Sequence, residues 1–387
     1  MLFLDTNRME QSINTIDTTD WDMIVAQLPS VWREMAETHR LFPKKFPEHM
    51  GTKIKDVEDP LRLVLHYAGT GASLKVTTAA AAAAGIVDIS HVALHKWMVK
   101  IGSYLADLCG HMAYDNAVFS ADRWAGYEVM AVDASALSCP GAKGTTARVH
   151  YAVRLVDLHP VEIQVTDYTG GETYRRFEAV SEQLWIGDRG YANPPGIAFL
   201  DDSGAKVMVR YNYGSLPLYN GAGQPFDIRA KLARLKRPGT AREWKVWVCP
   251  KNHEPIVGRL CAVRLPKDKV KEAQERVRRE HGQSTTSAML EAAKYVVVFT
   301  TVPASRLDTA KILELYRLRW QVELFIKRDK SIGGLDELPN FKPETIYSWI
   351  CAKTLLLLIS RKIVSSKVSI PPKAGRKQEP ACFSVSA

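Results

Sequence analysis

Residues 316–330, YRLRWQVELFIKRDK, carry a tyrosine, an arginine, a glutamate and a lysine at successive spacings of 3, 4 and 7. Read as one α-helix turning ~100° per residue, the stretch places Arg319 about −60°, Glu323 about −20° and Lys330 about −40° from Tyr316. All four side chains then share one stripe of a helix that is otherwise apolar nearly all round. A carboxylate on such a helix needs compensation, or it takes up a proton rather than stay charged in a dry site. An ion pair of Glu323 with Arg319 across one turn is the plainest form of compensation. It leaves Tyr316 and Lys330 without a purpose. A divalent cation is the other form, provided that further carboxylates join Glu323.

Two aspartates qualify. MAVDAS and LWIGDRGY each end an apolar run on an acid, Asp133 and Asp188. A sheet holds a strand-end side chain rigidly at its edge, although the commoner fate of such an aspartate is to serve the turn. Three carboxylates from two strand ends and one helix can gather Mg²⁺, which takes oxygen ligands and accepts substrate phosphate as a further one. Two such ions about 4 Å apart stabilise both the attacking and the leaving oxygen of an in-line phosphoryl displacement.

The elements that must position these acids follow from the pattern along the chain. Residues 1–125 read as mostly helical, and SLKVTTAAAAAAGIVDISHVALHKWMVKIGSYLADL shows a helix, a glycine-containing break and a second helix capped by Ser90. That outline fits a helix-turn-helix for DNA, with His91, His95, Lys96 and Lys100 on or beside the second helix. A plain helical hairpin is the alternative. Residues 126–213 change period: YEVMAVDAS, RVHYAVRLVD and VEIQVTDYT read as strands, GETYRRFEAVSE as a helix, then QLWIGDRGY and KVMVRYN as strands. This is an α/β layer with a mixed sheet.

Residues 214–294 look like a β-rich basic insertion. REWKVWVCP and PIVGRLCAVRLP read as strands and DKVKEAQERVRREHG as a charged helix. Between 229 and 245 stand Arg229, Lys231, Arg234, Lys236, Arg237, Arg242 and Lys245 against one acid, Glu243, with Trp244 and Trp247 interleaved. A charge run is usually a solvated face; interleaved aromatics are what phosphate and base contacts need. The α/β layer resumes over 295–345 with YVVVFTTVP and the opening helix. Residues 346–387 hold a further helix, whose TLLLLI is too short to span a bilayer, and a Pro- and charge-rich tail that reads as unstructured.

Composition narrows the partners. The 387 residues are 46% hydrophobic and 24% charged, ordinary for a globular protein with a sizeable core. Lys and Arg number 52 against 42 Asp and Glu, a net +10 that favours a polyanion, nucleic acid before membrane. The six cysteines form no C-x-x-C pair, which suggests reduced thiols in a cytoplasmic protein. The start MLFLDTNRMEQ lacks the basic and apolar regions of a signal peptide.

Taken together, Tyr316, Arg319, Glu323 and Lys330 in the order Y-x2-R-x3-E-x6-K, preceded by VDAS and GDRGY, resemble the DDE transposases of bacterial insertion sequences, of the insertion-sequence-four type. The resemblance runs over roughly residues 60–345. It implies a ribonuclease-H-like catalytic domain, interrupted by the insertion before the Glu-bearing helix, behind a helical N-terminal DNA-binding region. It implies that Asp133, Asp188 and Glu323 form the catalytic, metal-binding triad, with Mg²⁺ (or Mn²⁺), in two ions, as cofactor. Tyr316, Arg319 and Lys330 then grip phosphates near the scissile bond. The activity implied is cut-and-paste transposition: cleavage frees a 3′-hydroxyl at the element's end, and that hydroxyl attacks another phosphodiester and finally target DNA. Where relatives form a hairpin, a flipped base stacks on an aromatic residue, for which Tyr295 is the nearest candidate and Trp244 and Trp247 are rivals. Double-stranded DNA and a second copy of the chain on it are the implied partners, with nucleoid association when bound. The N-terminal helices match only in outline, and the short tail after about residue 370 leaves subunit pairing open. A nuclease of the same fold without strand transfer, and a non-catalytic DNA-binding descendant, are the alternatives.

Overall fold

The computed structural model describes residues 18–42, 53–54, 56–115, 124–339 and 342–367. The chain's first residues and the tail expected to be unstructured lie outside these. Helices α1 (Thr18–Val25) and α2 (Trp32–Thr38) lie on either side of Pro29. Helix α3 (Glu58–Thr70) closes on Gly71 at φ 66°, the left-handed glycine just past its last turn. Helices α4 (Leu74–Ala83) and α5 (His91–Lys100) follow. Each starts at a serine whose Oγ accepts the backbone N–H three residues on: Ser73 from Val76 at 3.3 Å and Ser90 from Ala93 at 3.2 Å. Helix α6 (Gly102–Asp115) leads to the sheet.

The sheet strands and their connecting helices run β1 (Glu128–Leu137), β2 (Ala147–Arg154), β3 (His159–Asp167), β4 (Gln183–Gly187), α7 (Pro194–Asp202), β5 (Lys206–Arg210), α8 (Ile228–Ala233), β6 (Ala241–Val248), β7 (Ile256–Arg264), α9 (Lys267–His281), α10 (Ser287–Ala292) and β8 (Tyr295–Thr300). Helices α11 (Thr309–Arg317), α12 (Trp320–Ser331) and α13 (Pro343–Lys367) close the described chain. All eight strands belong to one sheet in the order β3-β2-β1-β4-β5-β8-β7-β6. The first three are antiparallel neighbours, whereas β1, β4 and β5 are parallel. That is the ribonuclease-H-like arrangement: an antiparallel meander, then parallel strands joined by crossovers. Within residues 214–294, β6 and β7 form no sheet of their own; β7 pairs with β8, which pairs with β5.

The helix expected over GETYRRFEAVSE is only a 3₁₀ turn, Tyr174–Arg176. Its aromatics are claimed by the core instead: Tyr174 packs on Tyr191 at 5.1 Å and Phe177 stacks on Trp185 at 5.8 Å. The turn gives way to extended backbone at Phe177.

Alternation along the strands builds two cores. Val129 and Ala131 of β1, with Leu184 and Ile186 of β4, face a core shared with the N-terminal helices, α12 and α13. Met130, Val132 and Trp185 face the core on the other side, with α7 and α8. In α13 the TLLLLI run buries one face, with Leu355, Leu358 and Ile359 at most 2% exposed, and leaves Leu356 and Leu357 half-buried. No helix among the described residues is long and apolar enough to cross a membrane. The five cysteines among them are free.

Candidate active site

Strand register brings the two aspartates together. Strands β1 and β4 run parallel with Val129 opposite Leu184 and Ala131 opposite Ile186. The same offset carried two residues further sets Asp133 level with Asp188, one strand spacing of about 4.8 Å apart. Period two puts Asp133 on the face of Val129 and Ala131, and Asp188 on the face of Leu184 and Ile186. Both acids therefore emerge on the same face where β1 and β4 part: Asp188 just past the carboxyl end of β4, and Asp133 not at a strand end, as the sequence suggested, but within β1, which runs on to Leu137 because β2 continues to pair with it.

Helix α12 lies over that face against β1. Phe325 meets Tyr151 edge-on at 5.7 Å, and Tyr151 is the residue paired with Asp133 across β1 and β2. The helix is fastened one turn further on by buried Asp329, which accepts from the Tyr151 hydroxyl at 3.2 Å and is ion-paired with Arg361 of α13. Glu323, two residues before Phe325, is thereby held above the strand ends.

The stripe is not one helix. Leu318 and Arg319 separate α11 from α12, with i→i−3 bonds from Leu318 N to Leu315 O at 3.0 Å and from Arg319 N to Tyr316 O at 3.1 Å. Such a tightened turn re-aims the axis. The cause is packing: α11 rests on β5, β6, β7 and β8, whereas α12 rests on β1, and one straight helix cannot serve both. Tyr316 and Arg319 still meet, the guanidinium 6.0 Å from the ring centroid. Arg319 is ion-paired with Glu323, whose side chain is 44% exposed. Lys330 donates to Ala136 O of β1 at 2.8 Å, three residues beyond Asp133.

The acids feel one another. Burial raises the Asp133 pKa to about 7; the Ala134 N–H and the charge of Arg319 oppose the rise, while Asp188 and Glu323 add to it. Asp188 accepts from Gly190 N at 2.8 Å. Three carboxylates around an otherwise apolar floor form an all-oxygen donor set, which suits a hard divalent cation. Among the described residues no three His, Cys, Asp or Glu side chains already converge as ligands, and Glu323 is drawn to Arg319 instead. Rotation of that half-exposed glutamate is what gathering the set requires.

Other sequence-selected residues lie elsewhere. Lys96 is exposed on α5, beside exposed Val92 and Val99. Lys100 is turned back on the protein, donating to Leu41 O and lying 5.2 Å over the Trp97 ring. His91 is exposed and His95 half-buried. Trp244 packs on Phe226 at 6.4 Å, and Trp247 carries Lys245 at 5.1 Å. Tyr295 is buried at the start of β8, in the wall of a cavity of about 930 Å³ also lined by Arg189, Tyr211, Tyr213 and Arg229.

Sequence reasoning missed three groups. Arg210, ending β5, is pulled below its ordinary pKa first by burial, then by Arg189, with Arg319 and Arg276 contributing. It thus marks a cationic border along the acids. The strand-end logic that selected Asp188 applies equally to the Arg of VMVRYN. Arg189 directly follows Asp188. The third, Glu172, lies in the Gly-Gly-Glu loop after β3 and carried no periodic signal.

The family model described as "Transposase DDE domain" matches residues 124–359. A relative named as the transposase InsL for insertion sequence element IS186A of Escherichia coli strain K12 is 28% identical over 335 residues, covering 84% of this chain and 90% of that protein. The transposase for insertion sequence element IS421 of Escherichia coli is 28% identical over 336 residues with the same coverage. Among solved structures, the piggyBac transposase synaptic complex with hairpin DNA aligns at a TM-score of 0.42 and 9% identity, covering 94% of this chain and 77% of that one.

Proposed function

The chain belongs to the transposase DDE domain family, and from that premise we propose that Asp133, Asp188 and Glu323 are the carboxylates with which it cuts insertion-sequence ends and joins them to target DNA. As a member of that family it is a metal-dependent DNA-cutting and strand-transfer enzyme. The observation that carries the residue assignment is the register of β1 and β4, which sets two acids level on one face beneath the helix that bears the third.

A bound divalent cation supplies Lewis-acid stabilisation of the attacking and leaving oxygens, and the all-oxygen donors suit a pair of Mg²⁺ ions, with Mn²⁺ in their place. The chain's own groups do the rest. Asp133, half-buried and with its pKa raised to about 7, gives up the proton it carries to hold charge. Arg319 releases Glu323 as a DNA phosphate takes over its guanidinium, so substrate and carboxylate exchange one partner. Lys330, fixed to the end of β1, and Tyr316 flank the same phosphate path. Arg189 and Arg210 extend it. Every step is an in-line phosphoryl displacement, so a single constellation serves cleavage and joining, without a covalent enzyme intermediate.

The cavity beside Arg189 takes an unpaired base against its tyrosine walls if the cleaved end folds into a hairpin. Tyr295 lines it, whereas Trp244 is occupied by Phe226. Helix α5 reads the element's end in the major groove: exposed Val92 and Val99 offer apolar contact to thymine methyls, and Lys96 offers charge to the backbone. Joining two ends calls for two copies of the chain on DNA. The signature Tyr316-Arg319-Glu323-Lys330 supports the insertion-sequence-four type within that family.

The test is incubation of the protein with the DNA flanking its own gene and Mn²⁺, with strand breaks mapped. Asp133→Asn, Asp188→Asn and Glu323→Gln should each lose cleavage by about a thousandfold or more, with end binding retained. Full cleavage by any one variant removes that residue from the set. Nicking by the wild type without any joining of a 3′-hydroxyl end would favour a nuclease instead.

A further inference from the structure

Glu172 stands outside the three-carboxylate assignment, yet it reaches the same strand end. Its Oε2 lies 1.7 Å from the point a Cβ on Gly190 would occupy, and Asp188 Oδ1 lies 3.2 Å from that same point. The two carboxylate oxygens are therefore within about 5 Å of each other, a spacing at which like charges repel unless a cation intervenes. Gly190 permits this approach because any larger residue there would meet Glu172. The opposite oxygen of Glu172 faces Arg148 Nη1 of β2 at 4.0 Å, the outer edge of ion-pair range, so the arginine orients the carboxylate more than it neutralises it.

A second feature points the same way. Tyr191 is fully buried, and its hydroxyl has no hydrogen-bond partner among the described residues. Burial first, then the charges of Glu172, Asp133 and Asp188, raise its pKa, which places the phenol among all three acids. A desolvated donor set among acids costs free energy unless a bound group and its water complete the network.

We propose that Glu172 is a fourth carboxylate of the divalent-cation site, on its Asp188 side, steered by Arg148. This rests on the reading of Asp133, Asp188 and Glu323 given above. It gives the site a purpose for an otherwise unexplained contact: while Glu323 is paired with Arg319, Glu172 stands with Asp133 and Asp188. Its loss acts on cation affinity before any DNA is present.

The experiment is calorimetric titration of MnCl₂ into the full-length protein without DNA. Glu172→Gln should weaken Mn²⁺ binding by about 10- to 100-fold, the range that losing a supporting group at a metal site produces. Glu172→Asp should recover part of the loss. Gly190→Ala keeps Glu172 in the chain but takes its place, and should reproduce the loss even if Glu172→Gln does not fold. Asp188→Asn is the reference. Wild-type affinity in Glu172→Gln or in Gly190→Ala, with binding lost in Asp188→Asn, overturns the proposal and leaves Glu172 as a structural partner of Arg148. Wild-type affinity in Asp188→Asn as well would sink the site assignment itself, a separate result.

Discussion

Titrating Mn²⁺ into the DNA-free protein at about pH 8, pH 7 and pH 6 probes Asp133 directly. Burial, with Asp188 and Glu323 nearby, lifts its pKa to about 7 despite the Ala134 N–H and Arg319. A carboxylate must be ionised to hold a cation, so binding expels whatever proton it carries. With that pKa the group is about nine-tenths ionised at about pH 8, half at about pH 7 and one-tenth at about pH 6. Apparent affinity should then fall about tenfold from about pH 8 to about pH 6, with roughly three-quarters of that logarithmic range lost below neutrality. Calorimetry in buffers of different ionisation enthalpy reads the released proton: about 0.9 per site at about pH 6 and about 0.1 at about pH 8. The Asp133→Asn variant should release none. Heats independent of buffer, with affinity flat across the range, would refute the claim that Asp133, with its raised pKa, belongs to the cation site.

Three further outcomes are expected. His150 is fully buried, bonded through Nε2 to Thr166 at 3.0 Å, and burial followed by Arg176 and Arg148 lowers its pKa to about 4. Its folded pKa is below the unfolded one, so its contribution is complete above about pH 6.5 and lost as pH falls toward about 4, by about 3 kcal/mol; denaturant melts of wild type and His150→Gln should converge over that window. Lys330→Met should reduce the salt dependence of end binding by about one phosphate contact, a change of about 0.9 in the log–log slope, and an unaltered slope would place Lys330 off the DNA. Lys96→Ala should weaken end binding without changing thermal stability, whereas Lys100→Ala, which loses the bond to Leu41 O, should cost about 1 kcal/mol of stability; footprinting and melting curves separate the two.

The sequence by itself determined the fold class and the family. Strand alternation, the break in hydrophobic period after residue 125 and the spacing of Tyr316, Arg319, Glu323 and Lys330 are local signals, and local signals survive in one dimension. An acid after an apolar run singled out Asp133 and Asp188 for the same reason, although only Asp188 proved to follow a strand end. Tertiary packing decided the rest. It broke the stripe at Leu318 because two neighbouring helices must lie on different strands. It drew the Tyr174 and Phe177 rings into the core in place of a helix. It tied the Lys100 ammonium to Leu41 O while leaving Lys96 in solvent. Above all, it set Glu172, Arg148 and Gly190 from three separate segments around the end of β4. No periodicity encodes such a meeting, because a contact between distant segments depends on how whole elements stack, and the residues that make it repeat with nothing.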